Sequence, residues 1–132
     1  MPGAVGAVRG LAALWPLGLA SASPASLIGA LLDAASLRAS FVAVVTAEQV
    51  ARGKAAPDIY LAVADRLGRR PERCAAVEDS ANGLRSAAAA GFQVIAIPHP
   101  KFTPAPDARS AAGLVLPGLA ELTPDAVAML AG

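Results

Sequence analysis

The sequence predicts a three-layer α/β protein built on a parallel sheet, and two observations carry that expectation. Strand-like apolar runs alternate with helical patterns along the chain, the order required when helices cover both faces of a parallel sheet. Polar residues also gather at the carboxyl ends of three of those runs: Ser21 and Ser23, Thr46 and Glu48, and Glu78 and Asp79. Ligands of open α/β sheets bind outside those ends. A length of 132 residues fits one domain with a core of its own.

The elements follow in order. Leu17–Ser21 is a short apolar run closed by small polar residues. Over Pro24–Ala35 the spacing predicts a helix with Leu27, Leu31 and Leu32 on one face. Phe41–Thr46 is a β-branched run of the kind buried on both faces of a parallel sheet. Pro57 then opens a helix carrying Ile59, Val63 and Leu67, which Gly68 closes as a left-handed cap. Cys74–Val77 is a strand that ends abruptly at Glu78-Asp79-Ser80. A helix over Asn82–Ala90 closes at Gly91, with Ser80 and Asn82 as its caps. Gln93–Ile97 is a strand stopped by Pro98, residues 98–112 are a proline-rich loop, and Leu114–Leu116 is a last short strand.

Composition narrows the function. A net charge of +1 gives no basic face for nucleic acid. The chain is uncharged from Gly10 to Leu32, long enough to span a membrane, but Pro16, Gly18, Pro24 and Gly29 interrupt that run. No membrane association is expected. A single cysteine, Cys74, allows no intrachain disulfide and points to the cytoplasm, with the thiol as a small buried apolar group. His99, the one histidine, falls in the proline-rich loop and reads as solvated. The stretch LGLASAS at 17–23, after Arg9 and an apolar run, also has the form of a secretory signal ending in an A-x-A site. That reading discards the residues which the strand reading places at a ligand site.

Glu78 and Asp79 are adjacent carboxylates at the end of a buried strand, where repulsion and desolvation call for a compensating charge. A hard divalent cation supplies it, and Mg²⁺ takes one or two protein carboxylates together with substrate phosphate. Solvation beside a helix N-terminus is the bland alternative. Lys54 stands out because nine of the eleven basic residues are arginine. A compact ammonium can lie against a phosphoryl oxygen and a carboxylate at once. Ser21, followed by the N–H groups of Ala22 and Ser23, offers a cradle for phosphate oxygens.

Taken together, LASAS at 19–23, GKAAPDIYLAVADRLG at 53–68, VEDSANGLRSAAAAG at 77–91 and the IPHPKFTP loop at 97–104 resemble the haloacid dehalogenase-like phosphohydrolases. The resemblance is to the branch containing β-phosphoglucomutase-like sugar-phosphate enzymes. It implies a Rossmann-like core and Mg²⁺-dependent chemistry on a small phosphorylated metabolite. It also implies that Ser21, with the Ala22 N–H, binds the transferring phosphoryl group. Lys54 orders the nucleophile and the phosphate charge, Glu78 and Asp79 hold Mg²⁺, and Ser23 touches substrate or a second phosphate. The implied reaction is attack by an aspartate on phosphorus, then relief of the aspartyl-phosphate by water or a sugar hydroxyl.

One part of the pattern is missing. The family's nucleophile lies in a D-x-D motif on its first strand, and no two aspartates of this chain stand two apart. The cap inserted after that strand is missing too, and residues 2–15 resemble the helix leading back from cap to core. The missing strand belongs in mid-sheet, between the strand ending at Ser21 and the one ending at Asp79. The expectation is therefore an incomplete sheet, a chain inactive alone, and self-association or a complementing chain. A non-catalytic phosphate-binding or assembly module is the second reading, and an exported alanine-rich protein the third.

Overall fold

The computed structural model describes residues 4–21, 23–54, 56–97, 112–118 and 121–131. Among the described residues, five α-helices and five strands follow in the order α1 (Ala4–Ala12), β1 (Gly18–Ser21), α2 (Ala25–Ala34), β2 (Ala43–Thr46), α3 (Asp58–Leu67), β3 (Ala75–Glu78), α4 (Ala81–Ala89), β4 (Gln93–Ala96), β5 (Leu114–Val115) and α5 (Pro124–Ala131). All pairing among them is parallel. The strands expected from apolar runs are present, each within two residues of its expected bounds.

The strands form two separate ladders. β1 pairs with β2, bringing Ser21 beside Thr46. β3 pairs with β4, bringing Glu78 beside Ala96, and β4 pairs with β5. Among the described residues, nothing pairs β1 with β3. Their burial carries the trace of that break. Inner strands of a parallel sheet are buried on both faces, as Val94, Ile95 and Ala96 of β4 are. By contrast, β1 is half-buried along its length, and Val77 of β3 is 38% exposed.

Helices hold the two ladders together. On one face, α3 and α4 cover a shared core in which Val45, Ile59, Val63, Ala76, Leu84, Ala87 and Val94 meet. Gly18 lets α3 approach β1 closely, because a methyl there would overlap the Val63 side chain. On the other face α1 spans both ladders. Its Val8 packs with Ile28, Leu32 and Leu37, while its Leu11 packs with Ile95, Ile97 and Leu122.

Three local expectations need correction. In α2 the buried pair is Ile28 and Leu32, whereas Leu27 and Leu31 are 48% and 56% exposed. Leu32 does face the core, but its buried partner is four residues before it, so the leucine stripe lies a helical step away from the core. Asn82 is an exposed first-turn residue of α4, and the cap is Ser80 alone, whose Oγ accepts the Gly83 N–H at 3.0 Å. α5 was not expected, although Pro124 follows Thr123, whose Oγ1 accepts the Ala126 N–H at 3.2 Å. Gly68 is left-handed with φ 66°, as its position predicts. Most of the expected 98–112 loop, with His99, lies outside the described residues. No helix among the described residues is long and apolar enough to cross a membrane.

The close approach at Gly18 gives a direct test. Gly18→Ala forces Val63 or α3 to shift, and urea unfolding is expected to show a loss of about 1–3 kcal/mol, the range for overpacking a filled core.

Candidate active site

Three strands end at the same edge of the molecule, and local hydrogen bonds explain why each stops there. After β1 the Ser21 hydroxyl accepts the Ser23 N–H at 3.1 Å, turning the chain toward α2. That N–H is thus engaged within the chain, and Ala22 lies outside the described residues. After β2 the Thr46 N–H donates to Gln49 Oε1 at 2.8 Å and opens a single turn of 3₁₀ helix. Within that turn Glu48 Oε1 accepts the Ala25 N–H at 2.8 Å. Pro24 offers α2 no side-chain cap, so Glu48 supplies one from a neighbouring loop. After β3, which ends at Glu78, Ser80 caps α4 at once, leaving only Asp79 between the strand and the cap.

Lys54 reaches these tips from a turn. Its Nζ donates to the Ala20 carbonyl of β1 at 3.3 Å and pairs with Glu78 Oε1 at the end of β3. One ammonium therefore touches both ladders across the unpaired boundary. The side chains of Lys54 and Glu78 are only 15% and 7% exposed. A carboxylate this buried needs its charge compensated and its lone pairs occupied. Tyr60 contributes to both requirements, its hydroxyl donating to the same Glu78 Oε1. The Tyr60 ring lies 5.4 Å from the Lys54 ammonium and packs edge-on against Phe92 at 5.1 Å.

Gly83 completes the seat. A methyl at this first-turn position of α4 would overlap the Glu78 carboxylate, so the carboxylate occupies the space a side chain would take. Burial holds the Tyr60 proton far above the usual tyrosine range, and the neighbouring Glu78 charge adds to that. Tyr60 is therefore a fixed donor to Glu78.

The expected residues are brought together unequally. Lys54 and Glu78 are in direct contact. Asp79 is half-buried beside them in sequence, and Ser21 directly follows the carbonyl that Lys54 holds. Ser23 is half-buried one residue beyond Ala22. Tyr60 and Gly83 escaped the sequence reading. The signal for Tyr60 was a lone tyrosine beside the apolar stripe of α3, whose hydroxyl needs a partner once buried.

A divalent cation was expected at Glu78 and Asp79. Among the described residues no group of three or more His, Cys, Asp and Glu side chains converges. Two adjacent carboxylates remain a fitting donor set for Mg²⁺, which completes its shell with water and substrate oxygens.

With this geometry in view, comparison with known proteins is decisive. The haloacid dehalogenase-like hydrolase family profile matches residues 1–91. The chain belongs to that family. It is 43% identical over 109 residues to plasmid-borne CbbY of Cupriavidus necator, covering 80% of this chain and 42% of that protein. It is 41% identical over 85 residues to hexitol phosphatase B of Escherichia coli K12, covering 64% of this chain and 38% of that one. The chain thus spans about two-fifths of the length of these relatives. Its fold superposes on a haloacid dehalogenase-family hydrolase from Deinococcus radiodurans R1, solved with bound phosphate and sodium. The TM-score is 0.83 at 30% identity, covering 99% of this chain and 60% of that one. A putative β-phosphoglucomutase from Thermotoga maritima matches with a TM-score of 0.83 at 26% identity, covering 98% of this chain and 60% of that one. The haloacid dehalogenase-like fold and its β-phosphoglucomutase-like branch, expected from the motifs, are thereby established.

Tyr60 supplies the test of this site. In the unfolded chain tyrosine ionises near pH ~10, whereas folded Tyr60 keeps its proton. Above that pH the folded state binds more protons, so stability falls as pH rises. Tyr60→Phe is expected to cost about 1.5–3 kcal/mol at neutral pH, as for a hydrogen bond to a charged group. Thermal unfolding between pH ~9 and ~11 should also show a shallower alkaline decline than the parent chain.

Proposed function

We propose that this chain is the phosphate- and magnesium-holding portion of a haloacid dehalogenase-like phosphatase or phosphomutase acting on small phosphomonoesters such as sugar phosphates. The observation that carries the reading is the Lys54 ammonium lying between the Ala20 carbonyl and the Glu78 carboxylate, one residue from the Ser21 hydroxyl. A cation in that position meets a phosphoryl oxygen arriving at the strand tips. In the proposed site Ser21 and the Ala22 N–H orient the phosphoryl group, Ser23 contacts substrate, and Lys54 orders the charge. Glu78 and Asp79 would hold Mg²⁺, which when bound screens the negative charge spread over the phosphoryl oxygens. The names of the relatives favour this substrate class, and a cytoplasmic setting agrees with a small phosphorylated metabolite as partner.

The proposal stops short of turnover by the chain alone. No D-x-D pair occurs in the 132 residues, so the covalent step has no nucleophile here. The same fact, with two ladders left unpaired, favours the second reading of a phosphate-binding or assembly module. The 132-residue chain is expected to release no phosphate from p-nitrophenyl phosphate with Mg²⁺, yet to bind orthophosphate by calorimetry. Lys54→Met should weaken that binding by about tenfold or more, the effect of losing a charge-assisted bond. Steady Mg²⁺-dependent turnover would refute the missing-nucleophile reading, and failure to bind orthophosphate would refute the site.

The exposed inner strands also bear on partners. We expect sedimentation velocity to show concentration-dependent self-association of this chain, since unpaired strand edges recruit other strands. A strictly monomeric species with a sharp unfolding transition at high temperature would argue against it.

A further inference from the structure

Lys54 stands on a turn, so its place depends on what fixes that turn. Two ties are local. The Ala56 N–H donates to the Gly53 carbonyl at 3.0 Å and closes the turn around Lys54. Arg52 and Asp58 then clasp its shoulders, with Arg52 Nη2 donating to Asp58 Oδ1 at 2.9 Å. Both ties set the shape of the turn and leave open where it stands against the sheet.

A third tie reaches across the fold. The Ser86 hydroxyl, on α4, donates to the Ala56 carbonyl at 2.6 Å. Ser86 is fully buried, and Ala90, four residues on and on the same face of the helix, is buried too. A serine inside a helix ordinarily returns its hydroxyl to the preceding turn of the same helix. Here it is turned outward to another segment, at a position where alanine would satisfy the packing. Gly83 and Ser86 are three residues apart and so share one face of α4. One of them seats the Glu78 carboxylate, and the other fastens the turn carrying the cation that meets it.

We propose that Ser86 is a positioning residue for Lys54. Its hydrogen bond to Ala56 docks the turn onto the helix that seats Glu78, and so sets the height at which the ammonium meets Glu78 and the Ala20 carbonyl. Its functional meaning rests on the phosphate reading given above, but the positioning itself is measurable without substrate.

The test is competitive acetylation of the folded 132-residue chain with trace acetic anhydride. The rate at Lys54 is read by mass spectrometry against free lysine in the same tube. In Ser86→Ala, Lys54 is expected to label about three to ten times faster, the population change that losing one buried hydrogen bond supports. Ser86→Thr, which keeps a hydroxyl, should stay near the parent rate. Ala87→Gly, which weakens α4 without touching the tie, should leave the Lys54 rate unchanged while lowering the melting temperature. An unchanged rate in Ser86→Ala would overturn the proposal. So would an equal acceleration in Ala87→Gly, since that marks general loosening. If Ser86→Thr does not fold, the contrast between Ser86→Ala and Ala87→Gly decides alone. Protection of Lys54 by orthophosphate with Mg²⁺ is a separate measurement on the parent chain. Its failure would count against the phosphate site while leaving the Ser86 result standing.

Discussion

The buried pairing of Lys54 with Glu78 is the interaction on which the strand-tip arrangement depends. A carboxylate removed from water at the end of a strand is tolerated only with a cation and further donors in place. That requirement explains several features that are otherwise unrelated. Lys54 supplies the charge, Tyr60 supplies the second donor, and the absence of a side chain at Gly83 supplies the space. Phe92 fixes the Tyr60 ring from behind. The turn from Gly53 to Ala56 exists in a form that presents Lys54, closed locally and tied to α4 by Ser86. A charge that was only folded inward would need none of this aiming. The pair sits at the ends of two strands, and the carbonyl that Lys54 holds belongs to the residue before Ser21.

The same pair bears on how the molecule holds together across its unpaired boundary. Backbone ladders are the ordinary cement of a parallel sheet, and among the described residues none joins β1 to β3. What spans the break is side-chain material. α3 and α4 share one apolar core over both ladders, α1 lies across both on the opposite face, and the Lys54 ammonium touches Ala20 and Glu78 at the rim. Apolar packing is non-directional and tolerates a gap in the sheet beneath it. A hydrogen-bond ladder does not, because each unpaired N–H and C=O must find water or another partner.

Elements whose signal is local were legible in the sequence. The β-branched run ending at Thr46, the glycine cap at Gly68 and the serine cap at Ser80 each follow from short-range chemistry. The motifs around Ser21, Lys54 and Glu78-Asp79 carry the family resemblance in the sequence alone. What stayed hidden depends on distance in space. The α2 stripe was misassigned because four apolar residues, Leu27, Ile28, Leu31 and Leu32, offer two adjacent faces, and only the position of β1 and β2 chooses between them. Glu48 was grouped with the ligand-facing residues, yet its carboxylate caps α2, a pairing of residues 23 positions apart. Tyr60, Gly83 and Ser86 act through partners on other elements, and periodicity carries no information about such partners.

The two edges of the β1–β2 ladder are treated differently, which bears on what the unpaired boundary is for. On β2, Arg66 reaches from α3 to hold the Val44 carbonyl at 3.0 Å, placing a guanidinium on a strand. Charged side chains on an edge strand discourage further strands from adding to it. The strands facing the break carry no comparable guard among the described residues. β3 presents Ala75 and Val77, both apolar, and ends in Glu78, whose carboxylate is paired with the Lys54 ammonium that also holds the Ala20 carbonyl. The guanidinium therefore marks the β2 side, while the two strands at the break are joined at their tips by the Lys54–Glu78 pair.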